Sequence, residues 1–133
     1  MDLDKLKYYV SERLENLSGI KVYNLDADDN PTFPYLVYKF MSSSEFVRNR
    51  MDWILEIDYW NNTHDDAEIL EAMNKVKNGV YDEAGELLVP GLDYSYQSED
   101  EGFYHCYEEF QAEIPVEESN MSRLNQRFVL KVR

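Results

Sequence analysis

FPYLVYKFMSSSEFVRNRMDWILEIDYWNN, residues Phe33 to Asn62, decides how the rest of the chain must be arranged. Two aromatic, β-branched runs, Tyr35 to Phe40 and Trp53 to Trp60, flank a polar link. Such residues suit a pleated, half-buried surface. In the second run Asp52, Glu56 and Asp58 share one parity, and Trp53, Leu55, Ile57 and Tyr59 the other. Strand side chains alternate between faces, so one face is wet and the other buried. The stretch predicts an antiparallel hairpin whose link, residues 42–51, is a long flexible loop carrying Arg48 and Arg50. The remaining elements then have one task, to cover the buried face.

Two helices meet that need. Leu3, Leu6, Val10, Leu14 and Leu17 recur at helical spacing over residues 3–17, with Asp2 as cap and Ser18-Gly19 as stop. A second helix is expected over residues 64–78. Thr63 and Asp66 form a capping-box pattern, Ile69, Leu70, Met73 and Val76 a buried stripe, and Asn78-Gly79 a stop. Asp65, Asp66 and Glu68 crowd its first turn, where the helix dipole favours anions.

Further strands are expected at 20–25, 94–97, 103–114 and 127–133. Between the first of these and the hairpin, Asp26 to Pro34 is a turn region in which Pro31 and Pro34 disfavour helix. In the strand at 103–114, Tyr104, Cys106, Phe110, Ala112 and Ile114 share an apolar parity that Glu108 interrupts. In the last strand Phe128, Leu130 and Val132 alternate with Arg127, Val129, Lys131 and Arg133. The fold class is therefore α+β: one domain over residues 1–133, a mainly antiparallel β-sheet with two α-helices packed on one face, and flexible loops at 42–51 and 82–102.

With 133 residues, 44% hydrophobic and 14% aromatic, the chain can bury a sizeable core. No apolar run approaches the roughly 20 residues of a membrane span, and Met1-Asp2-Leu3-Asp4-Lys5 lacks the pattern of a secretory signal. Assembly in the cytoplasm, with no membrane partner, is the expectation. A single cysteine, Cys106, forms no internal disulfide.

The net charge of −14 is unevenly placed. Residues 1–51 carry 7 basic and 8 acidic side chains, residues 52–118 carry 2 and 19, and residues 119–133 carry 4 and none. Tight DNA binding needs cations that displace counterions, so the middle of the chain repels phosphate instead. The opposed signs of middle and tail permit contacts between copies.

Little in the sequence points to catalysis. His105 and Cys106 are adjacent, so on a strand they face opposite ways, and Cys106 reads as a small core residue. His64-Asp65-Asp66 diverge around a helix start and read as capping residues, not metal ligands. The five glycines stand singly, with no phosphate loop. No catalytic, cofactor-binding or metal residues are assigned, and no cofactor is expected.

The order of these elements is familiar. The N-terminal amphipathic helix, the Ile20-Lys21-Val22-Tyr23 strand, Phe33 to Tyr38, Trp53 to Trp60, the helix opening at Thr63 and the final Arg123 to Phe128 strand together resemble the tail-terminator, or tail-to-head joining, proteins of long-tailed bacteriophages and prophages, also described as tail completion or minor capsid proteins. The resemblance covers nearly the whole chain and is weakest at residues 80–102. It implies a non-enzymatic virion protein, a hexameric ring on the last ring of the tail tube. Such a ring ends tail polymerisation and meets the head connector proteins, and the genome passes through its centre. The chain's partners would be other copies of itself, the tail-tube protein and the connector, with no tight nucleic-acid binding. Ring closure can depend on the tube, so a monomer in isolation is compatible. Arg48, Arg50, Arg123 and Arg127 are the candidate intersubunit contacts, and Glu99, Asp100 and Glu101 the candidate DNA-repelling surface. The alternative is an acidic DNA mimic that inhibits a nucleic-acid enzyme.

Overall fold

The computed structural model describes residues 3–47, 50–98, 102–117 and 120–132, with backbone alone at 42–47, 50, 51, 98, 102 and 103. The elements run α1 (Leu3–Ser18), β1 (Lys21–Asn24), β2 (Tyr35–Val47), β3 (Arg50–Asn61), α2 (Ala67–Asn78), β4 (Gly79–Tyr81), β5 (Leu87–Pro90), β6 (Ser95–Ser98), β7 (Gly102–Glu113) and β8 (Ser122–Val132). Six strands form one sheet in the order β1-β2-β3-β8-β7-β6, and β4-β5 form a separate hairpin. Among the described strands only the β1/β2 pair is parallel. The fold is α+β, with both helices on one face of a mainly antiparallel sheet.

The core lies between helices and sheet. Leu6, Val10, Leu14 and Leu17 of α1 and Ile69, Ala72, Met73 and Val76 of α2 are buried against Leu36, Leu55, Ile57, Tyr59, Phe128 and Leu130. The wet and buried parities of β3 fall as the alternation requires.

The hairpin link is the first difference from expectation. Strand pairing continues through it, with Phe46 opposite Met51 and Val47 opposite Arg50 after a register shift beyond Ser42. The expected loop at 42–51 is thus mostly two long ribbon arms, because Phe46, Val47 and Met51 extend the strand-forming pattern past the three serines. The expected loop at 82–102 likewise contains β5 and β6.

The second helix starts later than its capping box suggests. Thr63 Oγ1 donates to the Asp65 carbonyl at 2.7 Å, and Asp65 Oδ1 accepts from Ala67 N at 2.9 Å. Asp65 therefore holds the turn into the helix, and Asp66 makes no side-chain cap bond. Ala72 takes the buried place expected for Leu70, which is 40% exposed. Gly79 ends the helix at φ 102°, donating to the Lys75 carbonyl. The chain then returns, and Leu92 N donates to Val76 O at 2.7 Å. Gly91 makes that approach possible, since a Cβ there would run into the Lys77 carbonyl.

The third difference is in β7. A bulge between Glu108 and Phe110 shifts its register against β8. Before the bulge Tyr104 and Cys106 face the core; after it Phe110 lies opposite Arg127 and Ala112 opposite Asn125, on the other face. One extra residue inverts every side chain beyond it, so the single apolar parity read over 104–114 is really two.

Candidate functional site

The uncovered face of the sheet collects the charged residues of three strands. Its rows follow from the register: Tyr35, Trp60 and Arg123; Val37, Asp58, Asn125 and Ala112; Lys39, Glu56, Arg127 and Phe110. Arg123 donates through Nε and Nη2 to Asp58 Oδ1 at 3.1 and 3.0 Å, and its guanidinium lies 4.8 Å from the Trp60 ring centroid. Asn125 Nδ2 donates to the same oxygen at 3.0 Å and to Glu56 Oε1 at 3.3 Å. Arg127 donates to Glu56 Oε2 at 3.1 Å and stands 4.7 Å from the Phe110 centroid. Lys39 approaches Glu56 at 4.0 Å, and Lys131 lies over Tyr107. The side chains of Glu56 and Asp58 are 15% and 18% exposed. This is a connected, half-shielded network, unlike an isolated surface pair.

Two of the four candidate contact residues, Arg123 and Arg127, are thus held by acids of their own chain. The side chains of Arg48 and Arg50 and all of Glu99, Asp100 and Glu101 lie outside the described residues. The attraction expected between a basic tail and an acidic middle operates here within one molecule, because β8 pairs directly with β3.

A second polar network lies on the covered face. Glu108 accepts from Gln126 Nε2 at 2.9 Å and Gln111 Nε2 at 2.8 Å and pairs with Lys77 of α2 at 3.3 Å. Tyr59 donates to Gln126 Oε1 at 2.6 Å, and Gln126 Nε2 also lies 3.2 Å from the Met73 carbonyl. Burial, with the Glu108 charge second, pushes the Tyr59 hydroxyl well above its ordinary value, so it stays a donor. The sequence shows Glu108 only as an interruption of the apolar parity; its partners come from α2, from β8 and, three residues further on, from β7 itself. Arg13, unremarked in the sequence, donates to the Pro90 and Gly91 carbonyls at 2.7 Å each and so fastens α1 to the end of β5.

Among residues with reactive side chains, Cys106 is fully buried, and that burial raises its thiol far above the ordinary range, so it is neither a thiolate nor accessible. His105, on the opposite face, shares a 2.8 Å hydrogen bond with Ser95, its rung partner across β6/β7. Both are exposed, on an edge ladder. An activated hydroxyl also needs the ring oriented by a third group and an oxyanion site. His64, Asp65 and Asp66 line an open cleft of about 640 Å³ with Glu113 and Arg123. Among the described residues no group of three or more His, Cys, Asp or Glu is placed to hold a metal ion. No described helix is long and apolar enough to cross a membrane.

No family model and no curated protein matches the sequence. Among solved structures, a chain of the virion of a native gene transfer agent (GTA) particle shares the fold. The match covers 92% of this chain and 90% of that one, with a TM-score of 0.57 and 15% sequence identity.

Proposed function

We propose that this chain is a non-enzymatic structural component of a virion, a ring-forming protein that closes the tail tube, ends its growth and joins it to the head connector, with DNA passing through the ring. The observation that carries the reading is the fold shared, over nearly the full length of both chains, with a chain of a virion particle. The element order quoted from the sequence points the same way. In this reading the copies of the chain, the tail-tube protein and the connector proteins are the partners, and the virion is the location.

The charge distribution supports a channel role. On the uncovered sheet face Lys39, Arg123, Arg127 and Lys131 balance Asp52, Glu56 and Asp58. Exposed acids remain on the helix side, among them Glu68 and Glu71 of α2 and Glu83 and Glu86 of the β4–β5 turn. An anionic surface repels the phosphate backbone and lets DNA slide without sticking. We propose Glu99, Asp100 and Glu101, which lie outside the described residues, as further acids that repel DNA. Neutralising all three should slow genome ejection, and unchanged ejection would remove them from that role.

The deciding experiment is electron microscopy of particles made without this gene. Unjoined heads beside tails of uncontrolled length are expected. Filled heads on tails of normal length would refute the joining role. Recovery of a nucleic-acid enzyme bound to the purified chain, and released by DNA, would favour the acidic mimic instead.

A further inference from the structure

The six-stranded sheet ends in two strands that are each only partly covered. β1 spans β2 from Tyr35 to Tyr38, while β2 runs on to Val47. β6 spans β7 from Gly102 to His105, with one more rung between Tyr94 and Cys106, while β7 runs on to Glu113. Among the described residues no strand pairs with the outer edge of β2 from Lys39 onward, or with that of β7 from Tyr107 onward. An uncovered edge presents unpaired N–H and C=O groups, a template for another strand.

The directions of those groups can be worked out. Tyr38 O accepts from Leu25 N at 2.9 Å, so Tyr38 points outward, and by alternation so do Phe40 and Ser42. At the far end of β7, Ile114 N donates inward to Arg123 O at 3.0 Å, so Glu113 and Gln111 point outward. Three antiparallel steps separate β2 from β7, so the two strands run in opposite senses. A second copy set beside the first therefore brings its β2 edge antiparallel to the β7 edge of the first, and each face continues into the same face.

We propose that copies of this chain join edge to edge, with β2 from Lys39 onward in one copy pairing with residues 107–113 of β7 in the next. The inference rests on the ring reading and specifies its joint. Charge favours this partner over a chance strand. Residues 107–113 carry the exposed Glu109 and Glu113 and no cation, whereas β2 from Lys39 to Val47 carries Lys39 and Glu45 and is followed in sequence by Arg48 and Arg50. The acids and the bulge of β7 deter unspecific edge pairing. The contact is heterologous, since one copy offers β2 and the other β7, and such a contact makes a ring when its rotation closes.

The test uses the full chain with Cys106→Ala. Met41→Cys is combined with Ala112→Cys or with Phe110→Cys, the positions on the same face as Met41 that the alternation allows. Oxidation during assembly on tail tubes should give a ladder of disulfide-linked oligomers, at least tenfold above either single-cysteine control. Gln111→Pro removes one outward N–H, leaves the backbone bonds to β8 and loses the side-chain bond to Glu108, so it should fold with a somewhat lower melting temperature and fail to assemble. Rings visible by electron microscopy without cross-links in either pair would overturn the edge joint and leave the ring reading standing, as would rings from a folded Gln111→Pro chain. Absence of rings from the parent chain, even on tubes, would overturn both. If Gln111→Pro fails to fold, the cross-links alone decide.

Discussion

Arg123→Met separates a cation used inside the chain from one held for a neighbour. Nε and Nη2 both donate to Asp58 Oδ1, at 3.1 and 3.0 Å, with the two side chains 31% and 18% exposed. A hydrogen bond to a charged group contributes about 1.5–3 kcal/mol when shielded, and an exposed ion pair about 0.2–1 kcal/mol. This pair lies between those limits, and its two donors share one acceptor oxygen, which leaves about 1–2 kcal/mol. The stacking on Trp60 adds about 0.5 kcal/mol. Asn125 still donates to Asp58 in the variant, so the acid is not stranded. The expected loss is about 2 kcal/mol, or a urea midpoint lower by about 1 M at the usual slope for a small domain. Tryptophan fluorescence of the isolated chain reads it. A double-mutant cycle with Asp58→Asn should return most of the loss as coupling between the two sites. A midpoint unchanged by Arg123→Met, together with failure to assemble, would refute the reasoning and return Arg123 to an interface.

Three further outcomes are expected. Leu25 is 59% exposed yet sits at φ 70°, so Leu25→Gly should raise stability by about 0.5 kcal/mol by relieving left-handed strain; a lower melting temperature would mean that the side chain contributes packing. Gly91→Ala should cost at least about 3 kcal/mol, because its Cβ meets the Lys77 carbonyl where β5 rejoins α2; a stable variant in a denaturant melt would contradict that close approach. The buried Cys106 thiol should resist thiol reagents until the chain unfolds. Its ordinary value is 9.0 and burial raises it in the fold, so its contribution is complete below pH 9.0 and is lost as the pH rises above it and only the unfolded thiol ionises. Cys106→Ala should therefore flatten the alkaline fall in stability, and an unchanged slope in melts from pH 8 to pH 11 would show that Cys106 is not responsible.

Elements with strong, uninterrupted periodicity were legible in the sequence. α1 and the core halves of β2, β3 and β8 each repeat their apolar residues over several turns or rungs, and nothing in their geometry interrupts the count. What escaped depends on partners far along the chain. The turn before α2 is held by Asp65, two residues beyond Thr63, because the Thr63 hydroxyl donates forward to the Asp65 carbonyl and does not accept as a cap. Leu70 and Ala72 exchange roles because the contact surface of α2 is centred on Met73 and Val76. The bulge in β7 leaves one trace in the sequence, Glu108 on an apolar parity. A carboxylate there is tolerable only because Lys77, Gln111 and Gln126 reach it; Lys77 and Gln126 are distant in sequence, and Gln111 reaches it only because the bulge brings its side chain to the same face. The same holds for Arg13, whose acceptors are backbone carbonyls and carry no sequence signal.

The placement of charge shows why composition alone misleads about surfaces. A linear count puts strong negative charge in the middle of the chain and positive charge at its end. The register lays β8 directly beside β3, so Arg123 and Arg127 are matched with Asp58 and Glu56 across one sheet face. That face is close to neutral and carries Val37, Ile54, Trp60, Phe110 and Val129 at intermediate exposure. A near-neutral, partly apolar sheet face suits contact with other protein, whereas the helix side, where exposed acids go unmatched by the tail, suits a surface that must stay clear of polyanions. In the proposed joining role the two faces would divide its two demands, adhesion to protein and repulsion of nucleic acid. Covering the sheet face in an assembly would leave Glu56 and Asp58 paired, because both acids already have their donors in place.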